Sequence, residues 1–456
     1  MSAFIQGIGR RSLAYAVGAV MALTMSTAAA ENKPKPAAAK PAATKPTAKP
    51  AARPAAAKPA QPAGQPVQIE LSHQLPPSRA KALEELVERF NAQSNNSQVT
   101  LVEGDWKAAK TPHMMILGGA DEDAFLSSAQ PRYRSLSALM REAGVALQTG
   151  RPPAMVTRKP VNATNGQLLA LPVGLSTPVL YFNRGAFKRA GINAETASLA
   201  TWSDLQDVLS KLLASGSKCP LTIVEPSRVL IENMSAWSNV PVIKGKQPAF
   251  NGLFHVKYIS LMASWHRADL LKIFENRAEG EGRFAKGECA MLIGPSDNWA
   301  DFRQQDGLDV GLARLPYYLT PDAPGAPQNT LAGGASLWVA AGKKATEYRA
   351  VANFVNFWLQ PVNQITWQRD TGYLPLNRAG IFASESTLLG DSLENVNLAI
   401  KQLTNRPVTP NSGVHPMMER ESARRIIDEE LAGVWADRKS AKAALDSAVA
   451  RLSTGK

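Results

Sequence analysis

At Val67 the chain changes texture, and that change decides which part of it can build a core. Residues 31–67 repeat Ala, Pro and Lys with no aromatic residue and almost nothing apolar beyond alanine. Such a segment cannot bury enough surface to offset the entropy of ordering it, and its prolines stiffen it toward an extended spacer of roughly 3.1 Å per residue. From Gln68 onward the pattern is different. Gln68–His73 alternates like a strand, and Ala80–Phe90 sets Leu83, Leu86, Val87 and Phe90 on one helical face. Short apolar runs follow at 99–102, 178–182, 221–224, 290–293, 310–313 and 336–340, separated by helical patterns such as 202–213 and 348–359. Alternation of this kind predicts an α/β chain whose sheets are covered on both faces. Thr201 ahead of Trp202-Ser203-Asp204 reads as a helix start and Gly216 as its stop. Near the C-terminus, Ser422–Trp435 places Ile427, Leu431 and Val434 on one face, with the acidic run Asp428–Glu430 expected on a solvated one. At 456 residues and 45% hydrophobic, the chain has material for a two-domain core.

The first thirty residues carry Arg10-Arg11, then an apolar run from Ser12 to Thr24, then Ala28-Ala29-Ala30. Basic, apolar, then small is the order of a cleavable secretory signal, and the run is shorter than the roughly 20 residues of a membrane span. The arginine pair fits a twin-arginine signal poorly, and no cysteine follows the run to carry a lipid. A periplasmic product cleaved near Ala30 is expected. The formal charge of +13 would ordinarily raise nucleic acid as a partner. Six of those charges lie within residues 31–67 and two in the first thirty, which leaves about +5 for the rest, an ordinary value. No nucleic-acid role is expected; the lysines of 31–67 could instead meet an anionic envelope polymer. Cys219 and Cys289 allow at most one bridge, and their spacing leaves the pairing open.

The chain lacks G-x-x-x-x-G-K-[ST], G-x-G-x-x-G, H-E-x-x-H, C-x-x-C and G-x-S-x-G. Its five histidines are scattered, with no pair at metal spacing. No cofactor or metal is implied, and a binder is expected rather than an enzyme.

Six segments in order carry a resemblance: Ser176-Thr-Pro-Val-Leu-Tyr-Phe-Asn183, Glu232-Asn-Met-Ser-Ala-Trp237, Gly287-Glu-Cys-Ala-Met291, Ala326-Pro-Gln-Asn-Thr-Leu-Ala-Gly-Gly-Ala-Ser-Leu-Trp-Val339, Asp370-Thr-Gly-Tyr-Leu-Pro-Leu376 and Ile426-Ile-Asp-Glu-Glu-Leu431. Here the chain resembles the periplasmic sn-glycerol-3-phosphate-binding proteins of ABC importers, from about Val67 to the C-terminus and most weakly between Val102 and Arg158. The resemblance implies a two-lobed, maltose-binding-protein-like (type II) fold that closes by a hinge over a solute and docks on a permease pair. It places crossings near Gly174–Pro178, Ile293–Ser296 and Ser336–Ala340, so that 68–175 joins 297–335 in one lobe and 177–295 joins 337–456 in the other.

The same resemblance implies ligand contacts from Trp106, Ser176, Trp237, Ser296, Gly334, Tyr373 and Arg424. Arg424 offers a planar fork of donors suited to a phosphate. Gly334 lets a backbone N–H come close to an oxygen. The serines and Tyr373 add neutral donors, and Trp237 is expected to close over a glycerol carbon chain. The first lobe departs from the pattern: Glu103-Gly-Asp-Trp106 stands where relatives carry a tyrosine, and their glutamate is absent, with Asp121 and Asp123 nearby. Capture of sn-glycerol-3-phosphate or a glycerophosphodiester leads. A sugar-binding protein of the same fold, an envelope protein that has lost transport, and a phosphodiester-cleaving enzyme stand behind it.

Overall fold

The structure is a computed structural model. It describes residues 65–454 apart from 105–106, 108–109, 127, 129–131, 146, 148–167, 320, 322, 324, 376–383, 385–387, 389, 414, 416 and 419. The expected signal and residues 31–64 of the expected Ala/Pro/Lys spacer lie outside the described residues, as does Trp106, and Val67, expected to end the spacer, opens the first strand.

Two five-stranded sheets organise the fold. The first has the order β2-β1-β3-β12-β4, with β1 at Val67–His73, β2 at Ser97–Leu101, β3 at Met114–Gly118, β4 at Leu171–Pro172 and β12 at Ala335–Val339. The second has the order β11-β5-β10-β6-β9, with β5 at Pro178–Asn183, β6 at Leu221–Ile223, β9 at Leu271–Lys272, β10 at Met291–Pro295 and β11 at Val310–Ala313. A small hairpin of β7, Ile243–Lys244, and β8, Gln247–Pro248, stands apart. Central strands are buried on both faces: Met114–Leu117 and all of β10 are inaccessible to solvent, as expected of strands covered by helices on either side.

Helix α1, Pro77–Gln93, opens on proline, whose missing N–H costs nothing at a helix start. It buries Leu83, Leu86, Val87 and Phe90, and the Phe90 ring meets Phe354 and Phe357 of the helix Ala345–Trp358 edge-on at 5.1 and 5.5 Å. Thr201 and Asp204 form the capping box of the helix Trp202–Ala214, whose end is followed by Gly216 at φ 94°. Cys219 and Cys289 form a disulfide at the entrances of β6 and β10, where Ala290 N–H also donates to the Cys219 carbonyl at 2.8 Å.

Strand pairing allocates the later segments differently from the expectation. Val310–Ala313, expected in the first lobe, pairs antiparallel with β5 in the second sheet. Ala335–Val339, expected at a crossing into the second lobe, pairs antiparallel with β3 and lies against β4 in the first. The helix Ala345–Trp358 then packs on β1 and α1. The chain therefore passes between sheets at 173–177, at 314–334 and again after Thr371. The physical reason is that a short apolar run specifies a strand but not its partner, here about 220 residues away.

The acidic run near the C-terminus also differs. Only Glu429 is exposed. Glu430 is buried and pairs with Arg451 and Lys439, and Asp428 accepts two hydrogen bonds from Ser227, N–H and hydroxyl, both at 2.8 Å.

Candidate functional site

Open α/β sheets present ligands to the loops beyond the carboxyl ends of their strands, and a cavity lies there. It has a volume of about 820 Å³. Gln74–Arg79 enter it after β1, Gly118 at the end of β3, Glu225 and Arg228 after β6, and Asp297 and Asp301 after β10. Gly334, at the head of antiparallel β12, joins them with Ser176, Tyr373 and Arg424.

Four of the seven residues singled out from sequence thus share this cavity: Ser176, Gly334, Tyr373 and Arg424. Ser176 is fixed by paired backbone bonds to Gly333, its N–H donating at 3.0 Å and its carbonyl accepting at 2.8 Å. Gly334 adopts φ 126°, and a Cβ there would fall 1.1 Å from the Gly174 carbonyl oxygen. The oxygen that requires glycine belongs to the chain's own crossing segment. Tyr373 is almost wholly buried, with the Arg79 guanidinium 5.8 Å from its ring centre. Burial, reinforced by Asp297, pushes its phenol well above the ordinary range, so it stays a hydrogen-bond donor.

The structure places Ser296 and Trp237 away from this cavity. Ser296 is fully buried and does not line the cavity; its hydroxyl accepts from Thr177 N–H at 3.3 Å, locking the start of β5 to the end of β10. Trp237 sits in the core at the end of a short helix, its indole N–H donating to the Leu315 carbonyl at 3.0 Å. It faces a separate apolar cavity of about 300 Å³. Asp121 does not line the main cavity, and Glu122 beside it is buried, accepting from the Trp338 indole N–H at 2.9 Å.

Arg424 is mostly buried. It reaches Glu232, with Nε to Oε1 at 2.7 Å and Nη2 to Oε2 at 3.2 Å. Burial would lower its pKa, but Glu232 more than compensates and holds it charged. The pair leaves its Nη1 unused. Glu232 belongs to a π-helix, Ser227–Asn233, a conformation that recurs at functional sites.

Sequence reasoning missed the other charged residues. Arg79, 3% exposed, bridges α1 to the short helical turns 296–302 after β10: its Nη2 donates to the Asp297 carbonyl at 2.8 Å and carboxylate at 3.0 Å, and its Nη1 to Asp301. Arg277 holds Glu281 at 2.6 Å and Asn298 at 3.2 Å, with Glu225 at 3.6 Å. Arg228 extends from the π-helix to Gly333, where a Cβ would lie 1.7 Å from its Nη2. The available signal was position: each follows the end of a strand or opens a helix after one. Among the described lining residues Tyr373 is the sole aromatic.

The chain belongs to the bacterial extracellular solute-binding proteins, whose family model matches residues 85–381; it is a solute-binding protein, not an enzyme. Among curated relatives it is 30% identical over 398 residues to the sn-glycerol-3-phosphate-binding periplasmic protein UgpB of Pectobacterium atrosepticum, covering 83% of this chain and 89% of that one. It is 35% identical over 298 residues to the UgpB of Yersinia enterocolitica, covering 64% and 67%. Among solved structures it resembles UgpB from Mycobacterium tuberculosis in complex with glycerophosphocholine, with a TM-score of 0.68 at 19% identity over 86% of this chain and 98% of that one. The GacH receptor of Streptomyces glaucescens gives 0.69 at 14% identity over 85% and 98%. Both share the maltose-binding-protein-like fold.

Proposed function

We propose that this protein captures sn-glycerol-3-phosphate or a glycerophosphodiester in the periplasm and delivers it to the permease pair of an ABC importer. The observation that carries this reading is the convergence of Ser176, Gly334, Tyr373 and Arg424 on one 820 Å³ cavity. Ser176, Gly334 and Tyr373 belong to segments that resemble those of glycerol-3-phosphate binders and Arg424 lies two residues before another, and together they supply the neutral and charged donors that a phosphate needs. Arg424, held in place by Glu232, presents its remaining N–H groups without rotamer search, and Arg228 adds a second guanidinium on the same wall.

Calorimetric titration of the purified protein with sn-glycerol-3-phosphate, glycerophosphocholine and maltose tests the reading. Binding of a phosphate compound that weakens at least tenfold in Arg228→Ala supports it. Maltose binding, or no response to either phosphate compound in folded protein, overturns it.

A further inference from the structure

The charges around the cavity favour one kind of phosphate compound. Among the described residues four guanidiniums line it, from Arg79, Arg228, Arg277 and Arg424. Four carboxylates do so as well, from Glu225, Glu281, Asp297 and Asp301, and Glu232 stands as a fifth behind Arg424. A monoester dianion entering such a site adds to a negative excess, whereas a zwitterion leaves the balance unchanged.

Glu225 is the carboxylate placed to meet the positive end. Asp297, Asp301, Glu281 and Glu232 are each hydrogen-bonded to an arginine. Among the described residues Glu225 pairs with Arg277 at 3.6 Å, beyond hydrogen-bond distance, and lies near enough to Arg424 and Asp428 to act on both electrostatically. Arg277 keeps Glu281 and Asn298 whether or not Glu225 stays beside it. The backbone at Glu225 is also unusual, at φ 52°. The other described non-glycine residues with positive φ are Asn239, Asp269 and Asp437, types that tolerate this region. Glutamate does not share that tolerance, and strain of this kind persists where the surroundings impose it.

Glu225 and Arg277 form a shared wall between the main cavity and a second one of about 630 Å³. The second cavity is lined by Asp428, Phe274, His266 and Trp435 as well. Carboxylates beside aromatic rings suit an ammonium group.

Resting on the phosphate reading of the main cavity, we propose that Glu225 and the adjoining cavity form a head-group subsite that selects glycerophosphodiesters bearing a cationic group. The phosphate stays with Arg228 and Arg424, the head group displaces Glu225 from Arg277, and its ammonium takes that carboxylate.

The test is calorimetry with glycerophosphocholine, glycerophosphoethanolamine, glycerophosphoglycerol and sn-glycerol-3-phosphate, on the native protein and on Glu225→Gln, Glu225→Gly and Ala432→Phe, each verified as folded by thermal melting. The native protein is expected to prefer the cationic diesters over glycerophosphoglycerol by about tenfold. That ratio should fall toward one in both Glu225 variants, and it should fall in Ala432→Phe, whose ring fills the second cavity. Glu225→Gly relieves the positive φ, so loss of the ratio there cannot be ascribed to unfolding. Equal native affinity for cationic and uncharged diesters, or a ratio untouched by any variant, overturns the subsite while leaving phosphate capture standing. Failure of every phosphate compound to bind native protein overturns both.

Discussion

The Arg424–Glu232 pair joins fold and site, and removing its halves separately and together distinguishes the two roles. Arg424 is 16% exposed and Glu232 3%, and two hydrogen bonds join them. Arg424→Ala leaves the Glu232 carboxylate buried without its counter-charge, a situation that costs about 3–5 kcal/mol. At about 2 °C per kcal/mol for a protein of this size, the melting temperature should fall by about 6–10 °C. Replacing the whole pair by apolar groups of similar volume, as in Arg424→Met with Glu232→Leu, removes the orphaned charge and should restore all but about 1–2 kcal/mol. Ligand affinity should not follow stability, because both proteins lack the guanidinium; each should bind a phosphate ligand at least tenfold more weakly than native. Differential scanning calorimetry gives the stabilities and a double-mutant cycle gives the coupling. A single variant melting within about 1 °C of native, or a double variant no more stable than the single one, would refute the buried-pair reasoning. Native affinity in either would remove Arg424 from the phosphate.

Three further outcomes follow from the geometry. Gly333 and Gly334 should separate: Gly334→Ala drives a methyl onto the Gly174 carbonyl at a positive φ and should cost more than about 3 kcal/mol, whereas Gly333→Ala meets only the mobile end of Arg228 and should melt near native while binding phosphate several-fold more weakly. Asp428 is raised to about 6, chiefly by burial, against a usual value of 3.8. Its folded form binds the proton more tightly than its unfolded form, so its contribution to stability declines by up to about 3 kcal/mol as pH rises from about 4 to above 6; urea melts of Asp428→Asn against native should show a difference that shifts in the variant's favour across that range, and a constant difference would contradict the burial argument. Reducing Cys219–Cys289, 70 residues apart, should lower the unfolding free energy by about 4 kcal/mol, read as a fall in the urea midpoint with dithiothreitol.

Local chemistry was legible in the sequence where it acts over a few residues. The Thr201–Asp204 capping box, the proline opening of α1 and the buried stripe ending at Phe90 all follow from spacing alone. Sheet allocation was not, because the partner of Ala335–Val339 is Met114–Gly118, and nothing within either strand names the other. The same division runs through the site. The resemblance marked Ser176, Gly334, Tyr373 and Arg424, which line the cavity, and also Trp237 and Ser296, which the structure buries away from it: a shared segment carries what it needs in order to fold as well as what it binds.

The four residues that motifs marked supply donors common to any phosphate binder. Arg79, Arg228, Arg277 and Glu225, absent from every motif, set the sign and balance of charge in the cleft. In a linear reading each is one polar residue after a strand or in the first turn of a helix, indistinguishable from dozens on the surface. Their meaning comes from strands that end at the same edge and bring Asp297 within 3.0 Å of Arg79 across 218 residues of chain. Which phosphate compound a cleft admits is decided by the charges left over once the arginines and carboxylates have paired. Here the most loosely held is a carboxylate, Glu225, 3.6 Å from Arg277 at a strained backbone position beside a second cavity, and that arrangement favours a ligand that carries its own positive charge.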